Sequence, residues 1–392
     1  MAEADVPMAD TDLMRRAIEI AMRGRGRVEP NPMVGCVIAR QGRIIAEGHH
    51  QQFGGPHAEV NALSACADAA GATAYVSLEP CCGYANKKSP PCTQALIGSK
   101  LSRVVAACQD PNPYVSGKGL AELRSAGIAV EVGLLADEAR QLDAAYFKII
   151  LQRRPYVTLK WAQTADGKVA GPGGQRLAIS NDASLAAVHQ LRSRSDAILV
   201  GIGTVRADDP LLTARVANPR LAPLRIVLDT HLRISLDSQI VKTALQSPTM
   251  VCCGQSAFDE KPDLVSRMNG CQVEVLPLRV ESDGRLSLGD LLDKLGKRGL
   301  THLLVEPGQT LAESFLRKNL ADRVWTFRSP KRGSPEKSPE AATTDYPATG
   351  SVTLDGDELT EYLNPGGSAF YAMQRSADLS LVGPGEGVGS LG

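Results

Sequence analysis

This sequence has no surplus of either charge: 43 Lys and Arg stand against 43 Asp and Glu over 392 residues. Proteins that hold a phosphate backbone usually keep a basic excess, so nucleic acid is not an expected partner. No run of 18 apolar residues occurs, which removes a membrane-spanning helix and a membrane partner. Residues 1–12 are acidic and polar, unlike a signal peptide, so the chain is expected in the cytoplasm. There is no internal repeat. The second half also lacks the G-x-G-x-x-G that follows a strand in a Rossmann dinucleotide fold.

What is present fits a globular enzyme. Hydrophobic residues make up 43% and charged residues 22%, enough for a buried core, and the length suits two domains. Apolar spacing predicts a helix over 12–22, a hairpin from 34–39 and 43–47 around Gln41-Gly42, a helix over 57–70, a strand at 74–78 and a helix at 93–99. The alternation continues to a long helix over 137–152. Arg153-Arg154-Pro155 then marks a junction, because proline disfavours continuing the helix. A second α/β alternation follows, with strands expected at 156–161, 197–200, 225–228, 250–253 and 302–305. Domains are therefore expected at 10–152 and 155–328. Residues 330–350 have the polar composition of a linker. The segment 351–392 is left as a divergent tail, with a last strand or two somewhere in 359–382 and a fraying Gly-rich end.

Nine cysteines in a chain without secretory context read as thiols or metal ligands before disulfides. Three residues carry a metal pattern: His57 of His57-Ala58-Glu59, Cys81 after Pro80, and Cys92 at the head of a helix. A catalytic zinc takes three N or S ligands and keeps a fourth place open, and zinc deaminases use this H-x-E and P-C arrangement. Glu59 is then free to move protons as general acid and base. Cys82 competes with Cys81 for the same role, and Pro80-Cys81 favours Cys81. A closed structural zinc would draw on similar residues. The other cysteines lie in apolar runs and read as buried small residues. His49 and His50 read as surface residues after the hairpin.

The stretches Asn31-Pro32-Met33-Val34-Gly35, His57-Ala58-Glu59-Val60, Leu78-Glu79-Pro80-Cys81, Pro90-Pro91-Cys92 and Asp110-Pro111-Asn112-Pro113 together resemble the deaminase half of the RibD family of bifunctional riboflavin biosynthesis proteins. The resemblance implies a cytidine-deaminase-like three-layer α/β domain. It also implies that Asn31 touches the pyrimidine and that Asp110 and Asn112 shape the substrate pocket. Asn and Asp beside proline are equally ordinary turn formers. One departure stands out: ten residues separate Cys81 from Cys92, a longer loop than the family's. It lacks the family's histidine, with Gly83 and Tyr84 near its place and Lys87 or Lys88 left to meet a phosphate.

In the second half, Leu159-Lys160, Ala165-Asp166-Gly167-Lys168, Leu199-Val200-Gly201-Ile202-Gly203-Thr204-Val205, Ala207-Asp208-Asp209-Pro210 and Leu212-Thr213-Ala214-Arg215 are similar to the reductase half of the same family. That similarity implies a dihydrofolate-reductase-like domain using NADPH. Ala162, Thr204, Asp208, Thr230 and Gly308 would line the cofactor site, and Arg176, Leu212, Arg215 and Glu306 would surround the substrate, with Arg215 suited to its phosphate. Lys160 and Asp166 are the charged residues nearest the expected chemistry. Solvated strand-end charges are the plainer reading of both. Two departures imply weakened NADPH binding: Ala178-Ile179-Ser180 stands where the family has Trp-Ile-Thr, and Glu306-Pro307-Gly308 where it has Glu-Gly-Gly. After Val324 the family pattern is lost, with the linker expected in place of its closing strands.

The leading expectation is therefore a zinc- and NADPH-dependent bifunctional enzyme acting on a small phosphorylated pyrimidine. Against it stand a deaminase with a degenerate reductase domain, and a non-catalytic zinc protein that binds pyrimidine nucleotides. Nucleic-acid base deamination ranks last. A homo-oligomer is compatible with the sequence, which sets no stoichiometry.

Overall fold

The computed structural model describes residues 7–84, 90–216, 222–333 and 338–367. Lys87, Lys88 and the Gly-rich end beyond 367 lie outside the described residues. The chain divides into two compact units between Gln152 and Arg153. Among the described residues no helix is long and apolar enough to cross a membrane.

The first unit is built on five strands: β1 (Gly35–Arg40), β2 (Arg43–His49), β3 (Thr73–Val76), β4 (Arg103–Ala106) and β5 (Ala129–Val132). Their spatial order is β2-β1-β3-β4-β5. β1 is antiparallel to both neighbours, and β3, β4 and β5 run parallel. Gln41 at φ 52° and Gly42 at φ 75° make the two-residue turn joining β1 to β2, the positive-φ pair that matches strand twist in a hairpin. β1 shows why the unit has three layers. Val37 and Ala39 pack with Leu13, Met14 and Ala17 of the helix Asp10–Ala21, while Cys36 and Ile38 pack with Ala58, Ala62 and Leu96 on the other face. Period-two alternation thus feeds two cores, one on each side of the sheet.

Two helices differ from expectation. The helix expected over 57–70 ends at Ser64. The one expected over 137–152 is two, Ala136–Leu142 and Ala144–Gln152. Asp143 breaks it, with φ −101° and a buried carboxylate that accepts the Met33 N–H at 2.8 Å. An aspartate that turns to a distant amide offers the backbone an exit from the helix.

The second unit holds nine strands: β6 (Tyr156–Gln163), β7 (Ala197–Gly201), β8 (Leu224–Leu228), β9 (Thr249–Gly254), β10 (Val273–Leu278), β11 (His302–Val305), β12 (Arg323–Arg328), β13 (Ala348–Leu354) and β14 (Asp357–Leu363). Their order is β10-β9-β8-β7-β11-β6-β12-β14-β13. All are parallel up to β12, and the last two close the sheet antiparallel. Ala197 to Val200 is fully buried on both faces, as helix-covered parallel strands require.

The tail corrects the expectation most. Residues 338–342 are not a free linker: Val169 N–H donates to Pro339 O at 3.0 Å, Ala341 N–H donates to Gly167 O at 2.8 Å, and Ala342 is buried. The closing strands are present at 348–363, and β14 pairs with β12 along its length. Trp325 Nε1–H donates to the buried Glu361 at 2.9 Å, which locks that pairing from inside. Among the described residues the last strand ends at Leu363; residues 368–382, part of the stretch expected to hold a last strand or two, lie outside them.

Candidate functional site

In the first unit His57 is the N-cap of the helix Ala58–Ser64, and Cys92 opens the helix Cys92–Gly98 behind Pro91. Cys81 arrives on the loop after β3. Their ligand atoms lie within 4.8 Å of one another, and this is the one such metal-competent group among the described residues. His57 Nδ1 is 3.4 Å from Cys81 Sγ and 3.3 Å from Cys92 Sγ. Tetrahedral zinc, with bonds of about 2.3 Å to sulfur and about 2.0 Å to nitrogen, spaces such atoms by about 3.5 Å, so the residues fit zinc. The Cys92 amide also points at Cys81 Sγ, 3.5 Å away, and helix-start amides stabilise thiolate. Cys82 takes no part: it is buried, and its Sγ faces Tyr114 O at 3.7 Å. Cys66 and Cys271 are not buried as expected; the first is half-buried and the second exposed.

Glu59 sits in the first turn of the His57 helix and is buried. Burial, then the negative charge of Cys81, raises its carboxyl above the ordinary range, with His57 opposing. A raised carboxyl suits a group that both takes and gives a proton.

His50, expected at the surface, is instead 3% exposed. Its ring stands edge-on to His57 at 5.3 Å, its Nδ1 lies 3.0 Å from Pro56 O, and its Nε2 lies 3.4 Å from Asn31 Nδ2. Donation from Nδ1 to Pro56 leaves Nε2 to accept from Asn31, a tautomer assigned from the partners. Burial lowers the pKa of His50, so the ring is held neutral. The signal lies in the chain itself: Ala46, Gly48 and His50 alternate on one buried face of β2 and its continuation. Asp110 and Asn112 behave first as turn formers. Asp110 Oδ1 accepts from Asn112 N and Tyr146 Oη–H, and Asn112 Oδ1 accepts from Tyr114 N.

The second unit encloses a cavity of about 860 Å³ at the carboxyl ends of β6, β7, β8 and β11, where parallel sheets usually bind ligands. Lys160, Ala162, Arg176, Thr204, Asp208, Thr230, Glu306 and Gly308 all line it. Glu306 is gripped by Arg192, at 2.6 Å from Nε and 2.8 Å from Nη2. Burial works against the Glu306 charge, but Arg192 and then Lys160 hold its carboxyl below the usual range. Lys160 Nζ lies 5.2 Å over the Phe327 ring, and burial pushes its pKa down. Arg192 escapes a sequence reading, since nothing local sets it apart.

Three expected residues stand elsewhere. Asp166 lies outside the cavity lining, in an exposed turn, accepting from Thr164 Oγ1 at 2.6 Å and Gly333 N at 2.8 Å. The Leu212 side chain is 2% exposed within the hydrophobic core. Arg215 is exposed, and its backbone N–H donates to His189 Nδ1 at 3.3 Å. The cavity nevertheless suits a dinucleotide. A Cβ built on Gly201, Gly203 or Gly308 would meet nothing within 4 Å, so backbone there is open to a close-lying ligand. Gly308 caps the helix Gln309–Arg317, whose first bonds run from Leu311 and Ala312 to Gly308 O, and helix starts receive phosphate. Gly308 has φ −75°, and Pro307 lies before the cap, so neither departs from negative φ.

Both halves have known relatives. Residues 7–108 match the cytidine and deoxycytidylate deaminase zinc-binding region, and residues 155–332 match the RibD C-terminal domain. The chain is 42% identical over 325 residues to the riboflavin biosynthesis protein RibD of Actinobacillus pleuropneumoniae, covering 83% of this chain and 84% of that protein. The chain belongs to the RibD family. The RibD of Escherichia coli is 39% identical, over 83% of this chain and 88% of its own. The solved RibD structure from Acinetobacter baumannii superposes with a TM-score of 0.78 at 34% identity, covering 90% of this chain and 98% of that one. A Thermotoga maritima structure described as a diaminohydroxyphosphoribosylaminopyrimidine deaminase/5-amino-6-(5-phosphoribosylamino)uracil reductase gives 0.76 with the same identity and coverage. As a RibD-family protein the chain is a zinc-dependent deaminase joined to an NADPH-dependent reductase of riboflavin biosynthesis, with a cytidine-deaminase-like and a dihydrofolate-reductase-like half.

Proposed function

We propose that the first unit hydrolyses the exocyclic 2-amino group of 2,5-diamino-6-ribosylamino-4(3H)-pyrimidinone 5′-phosphate. The second reduces the product, 5-amino-6-(5-phosphoribosylamino)uracil, to its ribitylamino form. The observation that carries the first step is the buried Glu59 beside a His57, Cys81 and Cys92 set spaced for zinc. Bound zinc lowers the pKa of its water so that hydroxide is available near neutral pH. Glu59 takes the proton of the attacking water and passes it to the departing nitrogen, so that a C–O bond forms, a C–N bond breaks and ammonia leaves. Neutral His50 and Asn31 offer a ring and an amide to hold the pyrimidine beside Glu59.

In the second unit NADPH supplies the hydride. Thr204, Asp208, Thr230 and the helix start after Gly308 would hold it, while the Glu306–Arg192 pair orients the sugar chain and the Lys160 ammonium gives a proton to the sugar oxygen freed when hydride reaches the carbon and its C–O bond breaks. Feeding the diamino substrate and measuring ammonia release and NADPH oxidation separately tests both. Ammonia without NADPH oxidation, and no NADPH binding at millimolar concentration, would leave a deaminase with a degenerate partner domain.

A further inference from the structure

The turn Asp355-Gly356 joins β13 to β14, and the residue after it binds Asn181, which directly follows a wall segment of the second-unit cavity. Asp357 is 2% exposed. One oxygen, Oδ2, accepts the Asn181 N–H at 2.9 Å and the Ser184 hydroxyl at 2.8 Å. Asn181 reciprocates: Nδ2 donates to Leu354 O at 2.6 Å and Asp355 O at 3.0 Å, while Oδ1 caps the helix Asp182–Ser193 by accepting Ser184 N–H at 2.8 Å. The five residues immediately before Asn181, Arg176 to Ser180, all line the cavity.

That wall lies outside the regular elements, and within it Ile179 is buried and Ala178 O accepts from Lys331 Nζ at 2.9 Å. It follows a short turn containing Gly173 and Gly174, both at positive φ, and no helix or strand covers 175–181. Glycines leave a loop many alternatives. A cavity wall that samples other forms weakens binding in proportion to the competent fraction lost.

We propose that the Asp357–Asn181 clasp makes the C-terminal hairpin a positioning device for the cofactor wall, holding residues 176–180 in the form that receives NADPH. The proposal rests on the reading of this cavity as the NADPH site. Asp357 and Asn181 are positioning residues. They act through the wall and touch neither cofactor nor substrate.

The test uses the full, zinc-loaded chain and three variants. Asn181→Ser keeps a helix-capping oxygen and removes both Nδ2 donors. Asp357→Ala removes the accepting oxygen, and Asp357→Asn restores one. NADPH affinity is read by fluorescence titration, wall order by hydrogen exchange at 176–181 without cofactor, and deamination serves as a control within the same chain. Asn181→Ser and Asp357→Ala should speed exchange at the wall and raise the NADPH Kd about tenfold, as a fall of the competent fraction to about a tenth requires. Deamination should not change, and Asp357→Asn should recover most of the affinity. Unchanged exchange, or faster exchange with an unchanged Kd, overturns the proposal. If Asp357→Ala does not fold, Asn181→Ser decides alone. A wild-type chain that binds no NADPH overturns the functional reading and the cofactor part of the proposal together, and exchange at 176–181 then decides whether the clasp orders the wall.

Discussion

The first unit gathers its reaction into four side chains, three at two helix starts and Cys81 on the loop after β3, whereas the second spreads its site over the ends of four strands and the helix after Gly308. A metal site is an all-or-none geometry: one ligand or one proton carrier removed leaves nothing to share its work. A cavity lined by many polar groups loses affinity in increments. Single substitutions should therefore be severe in the first unit and graded in the second.

Glu59→Gln is the sharpest way to break that contrast. It should lower deamination by about a hundredfold or more, since general acid/base work is typically worth that much. One zinc per chain and the wild-type NADPH affinity should remain. Zinc loss in this variant, or full activity, would remove Glu59 from its role. Cys82→Ser is the companion: with its sulfur turned to Tyr114 O, zinc content by metal analysis should not change. Chelating the zinc should abolish deamination and leave NADPH binding intact.

Arg192→Met tests the largest single dependence in the second unit. It strands Glu306, a carboxylate 16% exposed that now has two charge-assisted bonds. Breaking a fully buried pair costs about 3 to 5 kcal/mol, and the residual exposure brings the expected loss to about 2 to 3 kcal/mol. Urea unfolding followed at the second unit should show it, and Arg192→Met, Glu306→Leu together should recover much of it.

A pH effect belongs to the first unit. Burial pushes the carboxyl of Asp110 up to about 6 from the ordinary 3.8, with the Asn112 N–H and the Tyr146 hydroxyl pulling the other way. Between these values the folded chain keeps a proton that the unfolded chain has lost. This contribution is thus full below about pH 4 and disappears as pH rises through 6. Asp110→Asn removes the penalty, so its stability relative to wild type should climb by about 1 to 2 kcal/mol from pH 5 to 7 and then level off. A flat difference across that range would contradict the buried setting of Asp110.

The same contrast governs how much of each site is legible in the sequence. His57, Glu59, Cys81 and Cys92 fall within one short stretch at fixed spacings, and local pattern finds them. Arg192 and Glu306 are 114 residues apart, and no local pattern joins them. Asp143 breaks a helix that periodicity draws unbroken, because its partner, the Met33 amide, is 110 residues away. His50 is legible in the alternation of β2, but its position after a hairpin outweighs that signal. The tail misleads differently. Polar composition over 330–350 suggests a linker, yet Asp355-Gly356 is a strong hairpin signal. Its positive φ values of 46° and 93° place β13 and β14 where the sheet needs closing.

Ala178 probes the second unit by adding what it lacks. Residue 178 lines the cavity, and an aromatic ring stacked there is worth about 1 kcal/mol, or about fivefold in affinity. Ala178→Trp should tighten NADPH binding by about that factor in a fluorescence titration. No change would mean that the wall meets no ring of the cofactor.

Pro307→Gly should move affinity least. In the sequence, proline at this position looks costly, because it lacks the N–H that could meet a phosphate. The structure puts Pro307 one residue before the cap of the helix Gln309–Arg317, so the amides of the first turn lie beyond it and remain available. Glycine adds one donor, worth about 1 kcal/mol if a phosphate oxygen takes it. It also loosens the loop, at about 0.4 to 1 kcal/mol. The two nearly cancel, and the NADPH Kd should fall by no more than about twofold. A tenfold gain would show that the diphosphate lies against residue 307 itself rather than over the helix start, and would move the centre of the cofactor site by one residue toward Glu306.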